Sequence, residues 1–332
     1  MRARASTWPA FFSWTLGALA SLRLTLVLIV LLAPAVVLAL NFEEWRSWPL
    51  AIPLAGLAVN LLAALATRPA FRVQPALVVF HLSLGALLLL IALGRLSYLR
   101  GTLELTEGAL FDGDLTTVDA GPFHAGRLKE VRFAHDGFTI GYDPGLKRNT
   151  TRNPVRWLDE SGRWRKSVIG DHHPLVIGKY RFYTSHNKGF AAVLSVESEG
   201  SLPRTTVVHF PSYPINEFGQ TNELQLGDAG GNVWMLLDFD EVILDPARKS
   251  EFRLPTDYQL IVRDGDARHE LSTGNAVSLK GVTLRFEGLR TWMGYNVFYD
   301  WTLPWLAATS ALAVLSLGWH FVGKFRLKAW DN

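Results

Sequence analysis

The chain has no cysteine among its 332 residues. That absence excludes disulfide staples and a CxxC pair able to shuttle thiol electrons. It also excludes the CxxCH run needed for covalent, c-type haem attachment. Walker A, G-x-S-x-G and H-E-x-x-H patterns are missing too, which removes phosphate-cradling loops, nucleophile elbows and zinc-protease helices. Charge is sparse and nearly balanced, with 33 Lys and Arg against 30 Asp and Glu. No basic patch interleaved with aromatics argues for nucleic acid.

Long apolar runs are abundant instead. Segments 24–40, 48–66, 75–93 and 303–322 carry no formal charge, and each is long enough to cross about 30 Å of hydrocarbon as a helix. Pro34, Pro49 and Pro53 are compatible with this, because proline is tolerated in or near the ends of membrane helices. The first run resembles a signal peptide with Arg2, Arg4 and Arg23 as its basic region. Two more spans follow it and no small-residue cleavage site is evident, so it reads as a retained anchor. Arg2, Arg4 and Arg23, then Arg68 and Arg72, then Lys324, Arg326 and Lys328 all fall on one side of this layout. Glu43 and Glu44 fall on the other. The positive-inside rule then predicts cytoplasmic termini and a translocated central segment. The expected division is a membrane region 1–97, a domain 98–300, and a last helix with a tail at 301–332.

The central segment has β texture. Runs rich in Val, Ile, Phe, Tyr and Thr recur at 116–118, 131–140, 175–183, 191–196, 205–210, 232–239, 258–262 and 282–289. Turn signals stand at Asp143-Pro144-Gly145, Asn187-Lys188-Gly189, Asp228-Ala229-Gly230-Gly231 and Asp264-Gly265. Eight or more short strands without helical periodicity predict one large all-β extracytoplasmic domain, a sandwich or open barrel. Trp45, Trp48, Trp301, Trp305, Trp319 and Trp330 cluster at the ends of the predicted spans, as in an aromatic belt.

His81 is the one ionisable side chain in the run 75–93. Lipid offers no partner to either imidazole nitrogen, so the residue faces protein, a cavity or a metal. Two readings stand: a ligand or proton carrier, and plain packing against a neighbouring helix. His172, His173 and Asp171, with His186 beyond, superficially suggest a metal cluster. Adjacent residues of an extended chain point to opposite faces, however, so a solvated turn is the better reading. His124, His135, His209 and His269 are isolated in polar segments and are expected at the surface. His320, four residues before Lys324, is expected to snorkel to the interface. It could share a depth with His81.

Ser21-Leu22-Arg23-Leu24-Thr25-Leu26, and His81-Leu82-Ser83-Leu84 followed by Gly94-Arg95 and Tyr98-Leu99-Arg100-Gly101, form an ordered series. Glu104 and Thr106-Glu107-Gly108 come next, then Pro174-Leu175, Gly178-Lys179-Tyr180-Arg181-Phe182-Tyr183 and Ser185. Gly294-Tyr295-Asn296-Val297, Asp300 and Pro304 complete it. Together these resemble the ResB, or CcsB, family of cytochrome c biogenesis proteins across the whole architecture. The chain is shorter than typical members, and the family's Asp-Pro-Gly before the last helix reads Asp300-Trp301-Thr302 here.

The resemblance implies a subunit of the system II complex of the bacterial cytoplasmic membrane, with its soluble domain on the periplasmic side. That complex carries haem across the membrane to apocytochrome c. It implies a multi-helix partner of the ResC, or CcsA, type, and a non-catalytic or co-catalytic place in a haem lyase, or holocytochrome c synthase. It also implies that His81 is an axial iron ligand of a non-covalent protohaem, with the opposing ligand on the partner. A neutral imidazole suits haem iron. The competing reading is a cofactor-free membrane scaffold that holds apocytochrome or the partner; a free-standing sensor or adhesin is more distant.

Overall fold

The computed structural model describes residues 15–198, 200, 202–226, 231–279 and 281–326. Arg2, Arg4, Lys328 and Trp330, and most of the Asp228–Gly231 turn signal, lie outside the described residues. The chain divides into two compact units: Met1–Leu99 with Asp119–Gly126 and Tyr299–Asn332, and Arg100–Val118 with Arg127–Phe298.

The first unit contains α1 (Leu22–Asn41), α2 (Trp48–Thr67), α3 (Pro75–Ser97) and α4 (Leu303–Arg326). All four are long and apolar enough to cross a membrane. The main seams join chain neighbours: α1 to α2, α2 to α3, and α3 to α4. Local chemistry explains the ends of the helices. Ser21 caps α1 by accepting from the Arg23 N–H at 3.2 Å, and Pro75 opens α3 where its missing N–H costs nothing.

The seams are built from small residues. In α3 the buried positions are Ala76, Ser83, Gly85, Ala92 and Gly94, while Leu82, Ile91 and Leu93 are exposed. Small residues let the helix backbones approach closely. At the α1–α2 seam a Cβ added to Gly56 would sit 3.1 Å from a Leu28 methyl. The segment Asp119–Gly126 belongs to this helical unit, although the sequence division leaves it with the β domain. The Gly121 N–H donates to Tyr98 O at 2.9 Å and the Phe123 N–H to Leu96 O at 2.7 Å. A Cβ on Gly121 would come within 2.4 Å of Leu96 O.

The second unit is rich in β-sheet. One sheet has seven strands in the order β2 (Thr117–Ala120), β1 (Leu99–Thr106), β16 (Val282–Tyr299), β8 (Tyr180–Ser198), β7 (Leu175–Ile177). Off this path, β15 (Ala276–Leu279) pairs with β16 and β9 (Arg204–His209) with β8. A second sheet runs β10 (Thr221–Gln225), β11 (Asn232–Asp238), β13 (Gln259–Asp264), β14 (Ala267–Leu271). The third runs β12 (Ser250–Glu251), β4 (Thr139–Asp143), β5 (Lys147–Leu158), β3 (Phe133–His135), with β6 (Trp164–Gly170) beside β5. Phe133, Phe182, Phe190, Phe210, Tyr213, Phe286 and Tyr295 fill the core, many of them in edge-to-face or tilted ring pairs.

Three sequence expectations are corrected here. The predicted run 131–140 is two strands, β3 and β4, parted at Gly137 with φ +86. The run 175–183 is likewise broken, at Gly178 with φ +59. Asn187-Lys188-Gly189 is no turn, since β8 passes straight through it. Glycine is needed there for space: a Cβ on Gly189 would lie 2.8 Å from the Trp292 indole nitrogen. The Asp264-Gly265 signal does mark the β13–β14 hairpin, where Asp264 pairs with Ala267 around a two-residue loop.

Candidate functional site

His81 stands six residues into α3, which at about 1.5 Å per residue is roughly 9 Å from the start of the helix. Its Nδ1 is 2.7 Å from the carbonyl oxygen of Leu77, one turn back. A carbonyl can only accept, so Nδ1 carries a hydrogen and Nε2 is the ring nitrogen outside that bond. The ring is half-buried, edge-on to Phe80 at 5.2 Å and to Phe71 at 4.9 Å between centroids. Phe71 belongs to the 3-10 turn Pro69–Val73, which packs on α3. The result is an imidazole oriented by its own helix, with Nε2 outside that bond and aromatic rings beside it.

Among the described residues, no group of three His, Cys, Asp or Glu side chains could hold a metal ion. A single imidazole could serve a cofactor that brings its own equatorial nitrogens and needs only an axial base, as haem does. The fixed Nδ1–H is the outer bond that sets ligand orientation and basicity in metal-bound histidines.

His320 is half-exposed on α4 beside the Phe321 ring at 5.6 Å. No hydrogen bond or ring contact links it to His81 among the described residues. Sequence reasoning missed Asn60, the polar residue buried in α2. Its amide donates to Leu19 O at 2.5 Å and Ser21 O at 3.1 Å, and its oxygen accepts from the Thr25 hydroxyl at 2.6 Å. Asn60 thus ties α2 to the start of α1, through the Ser21 and Thr25 of the first motif. A lone Asn in an uncharged run was the available signal.

The far end of α3 holds a second polar cluster. Tyr98 donates its hydroxyl to Asp119 at 2.6 Å, and Arg46 bonds the other Asp119 oxygen at 2.8 Å. Arg95 lies over the Tyr98 ring at 4.9 Å and donates to Arg46 O. Burial, then the adjacent Asp119, raises the Tyr98 phenol above its usual pKa. His124 Nδ1 donates to Ser97 O at 3.1 Å, and its ring meets Tyr299 edge-on at 4.7 Å.

The surface expectation fails for His124, which is half-buried, and fails more strongly in the second unit. His135 is fully buried, with Nε2 donating to Leu105 O at 2.8 Å. Burial pushes its pKa below the ordinary value. His209 lies flat on Trp292, with centroids 5.3 Å apart and planes 11° apart. It joins Glu104 Oε2 at 3.1 Å to Thr106 Oγ1 at 2.7 Å. Glu104 and Thr106 share a strand face through the period of two. This acid–imidazole–hydroxyl chain has the connectivity of an activated nucleophile. Thr106 is only 6% exposed, and the next two N–H groups are spent on Thr291 O and His135 O. The two bonds tie β1 to β9 through the His209 ring. His172 and His173 are exposed.

No family model matches the chain, and no curated protein matches it. A solved structure of a cytochrome c heme lyase, CcmF, is similar at 14% identity with a TM-score of 0.27. The alignment covers 96% of this chain and 36% of that one, so the chain spans about a third of that protein's length.

Proposed function

We propose that the chain is a haem-handling subunit of a system II cytochrome c maturation complex. In this reading α3 holds a non-covalent protohaem through His81 Nε2. A ResC/CcsA-type partner supplies the opposing axial ligand, and apocytochrome c receives the haem on the periplasmic side of the bacterial cytoplasmic membrane. The observation that carries the reading is the 2.7 Å bond from His81 Nδ1 to Leu77 O, which orients the ring and leaves Nε2 as the nitrogen that would ligate iron. The ordered motifs from Ser21 to Pro304 support it as a resemblance. His81 would hold the haem, and the Phe71 and Phe80 rings beside it would suit an apolar macrocycle.

The resident residues position and do not transform. α3 orients the imidazole, and the Asn60 clamp and small-residue seams hold α1, α2 and α3 in place around it. Haem staining and absorption spectroscopy of the complex purified with its partner test the proposal. A haem band that depends on His81 is expected. An unpigmented complex that still supports cytochrome c maturation would favour the scaffold instead.

A further inference from the structure

The segment Asp119–Gly126 lies in the polar middle of the sequence, yet it closes the end of a membrane-length helix. The last carbonyls of a helix have no partner within it. At the end of α3 the Phe123 N–H takes Leu96 O at 2.7 Å, and His124 Nδ1 takes Ser97 O at 3.1 Å. One residue beyond the helix, the Gly121 N–H takes Tyr98 O at 2.9 Å. Asp119 fixes the start of the segment through the Tyr98 hydroxyl and Arg46. Non-helical backbone at a membrane boundary needs its polar groups paired in this way.

The Phe123 side chain takes no part in that capping. It is 60% exposed, and its ring meets Trp48, the first residue of α2, edge-on at 5.5 Å between centroids. α2 and α3 pack together and are joined by the short connector 68–74, so the start of α2 and the end of α3 lie at one end of the helical unit. Phe42 and Trp45, in the link from α1 to α2, are exposed at that end as well. The start of a spanning helix is the headgroup level, where Trp concentrates. Burying exposed apolar surface is favourable, and here the surface to be buried adjoins a span.

We propose that Asp119–Gly126 is a membrane-contact loop whose Phe123 ring enters the lipid headgroup boundary beside Trp48. The occupant is lipid, because the exposed ring continues the exposed apolar faces of α1 and α2, with Val30 and Ile52 among them. The inference rests on the four helices spanning a bilayer and is independent of His81 and of the haem reading.

The chain has no cysteine, so a single introduced thiol accepts a nitroxide label without background. Full-length protein carrying Phe123→Cys is labelled and placed in nanodiscs of phosphatidylcholine and phosphatidylglycerol. Power-saturation EPR then compares collisions with oxygen, which concentrates in lipid, and with a nickel chelate, which stays in water. Val30→Cys, on the exposed face of α1, is the lipid reference, and Glu160→Cys, in the exposed turn after β5, is the water reference. The label at 123 is expected to fall between the two, with oxygen favoured over the chelate. A ratio equal to that at 160 would overturn the proposal. Protection from both reagents would overturn it too, by showing that protein covers the ring. A water-like ratio at 30 would overturn the spanning reading itself, and the proposal with it. If Phe123→Cys does not fold, the same comparison with Pro122→Cys, exposed beside it, decides.

Discussion

Gly94 of α3 faces Thr302 at the start of α4 so closely that a Cβ on Gly94 would lie 3.1 Å from the Thr302 hydroxyl oxygen. That hydroxyl is itself fixed, donating to Asp300 Oδ1 at 2.7 Å, while the same oxygen accepts from the Thr302 N–H. Thr302 O then accepts from the Leu306 N–H at 2.8 Å in the first turn of α4. The residues that stand where the resembled family has Asp-Pro-Gly thus make a hydrogen-bonded helix start against a glycine. Gly94→Val should force this seam apart and cost about 1–3 kcal/mol by overpacking. Thermal melts in detergent should show a clear drop, whereas Gly318→Ala, with open space around it, should be neutral or slightly stabilising.

His81→Ala should strip haem from the purified complex or change its spectrum, with cytochrome c yield falling in parallel. Imidazole added from solution should restore part of both, by supplying the missing nitrogen. His320→Ala is the control and should leave both readouts near wild type. Wild-type haem content, spectrum and yield in His81→Ala would show that the ligand assignment is wrong.

Asn60→Leu should loosen α1 from α2, because Thr25, Leu19 O and Ser21 O lose their shared partner. Hydrogen bonds inside membrane bundles are worth about 0.6 kcal/mol on average and up to about 1.7. Since three are lost together, a loss near the upper figure is expected. A double-mutant cycle with Thr25→Val, followed by denaturant unfolding in micelles, measures the coupling; additive losses would contradict the clamp.

His135 makes the β unit acid-sensitive. Burial lowers its folded pKa beneath the unfolded value of 6.5, so the unfolded chain binds the proton first. The contribution is intact above about 6.5 and is lost as pH falls toward the depressed folded value. Melting temperature should therefore fall between neutral pH and pH 5 more steeply in wild type than in His135→Gln. Parallel slopes would assign the acid sensitivity elsewhere.

The charge pattern of the sequence predicts Asp171 and Lys328 on opposite sides of a membrane. Reporter fusions after each residue should read periplasmic for Asp171 and cytoplasmic for Lys328. Identical readouts would reverse the topology.

Hydropathy alone located the four long helices, because about twenty uncharged residues in a row leave a chain few other soluble options. Runs rich in Val, Ile, Phe, Tyr and Thr between Gly, Pro, Asp and Asn punctuation revealed the β-rich middle for the same local reason. His81 was legible as an ionisable group in an apolar run, but the bond that orients its ring was not, since that depends on a helical carbonyl four residues back. Strands such as β5, with Lys147, Arg148, Arg152 and Arg156 along it, escaped because their polar faces are solvated and pairing comes from neighbours distant in sequence. Tertiary structure alone decided that Lys188 is interior, that His135 is buried and that His209 bridges Glu104 to Thr106. It also decided that Asp119–Gly126 joins the helices. Each of these depends on which distant backbone closes over the residue, and burial by a remote strand leaves no local periodicity to read.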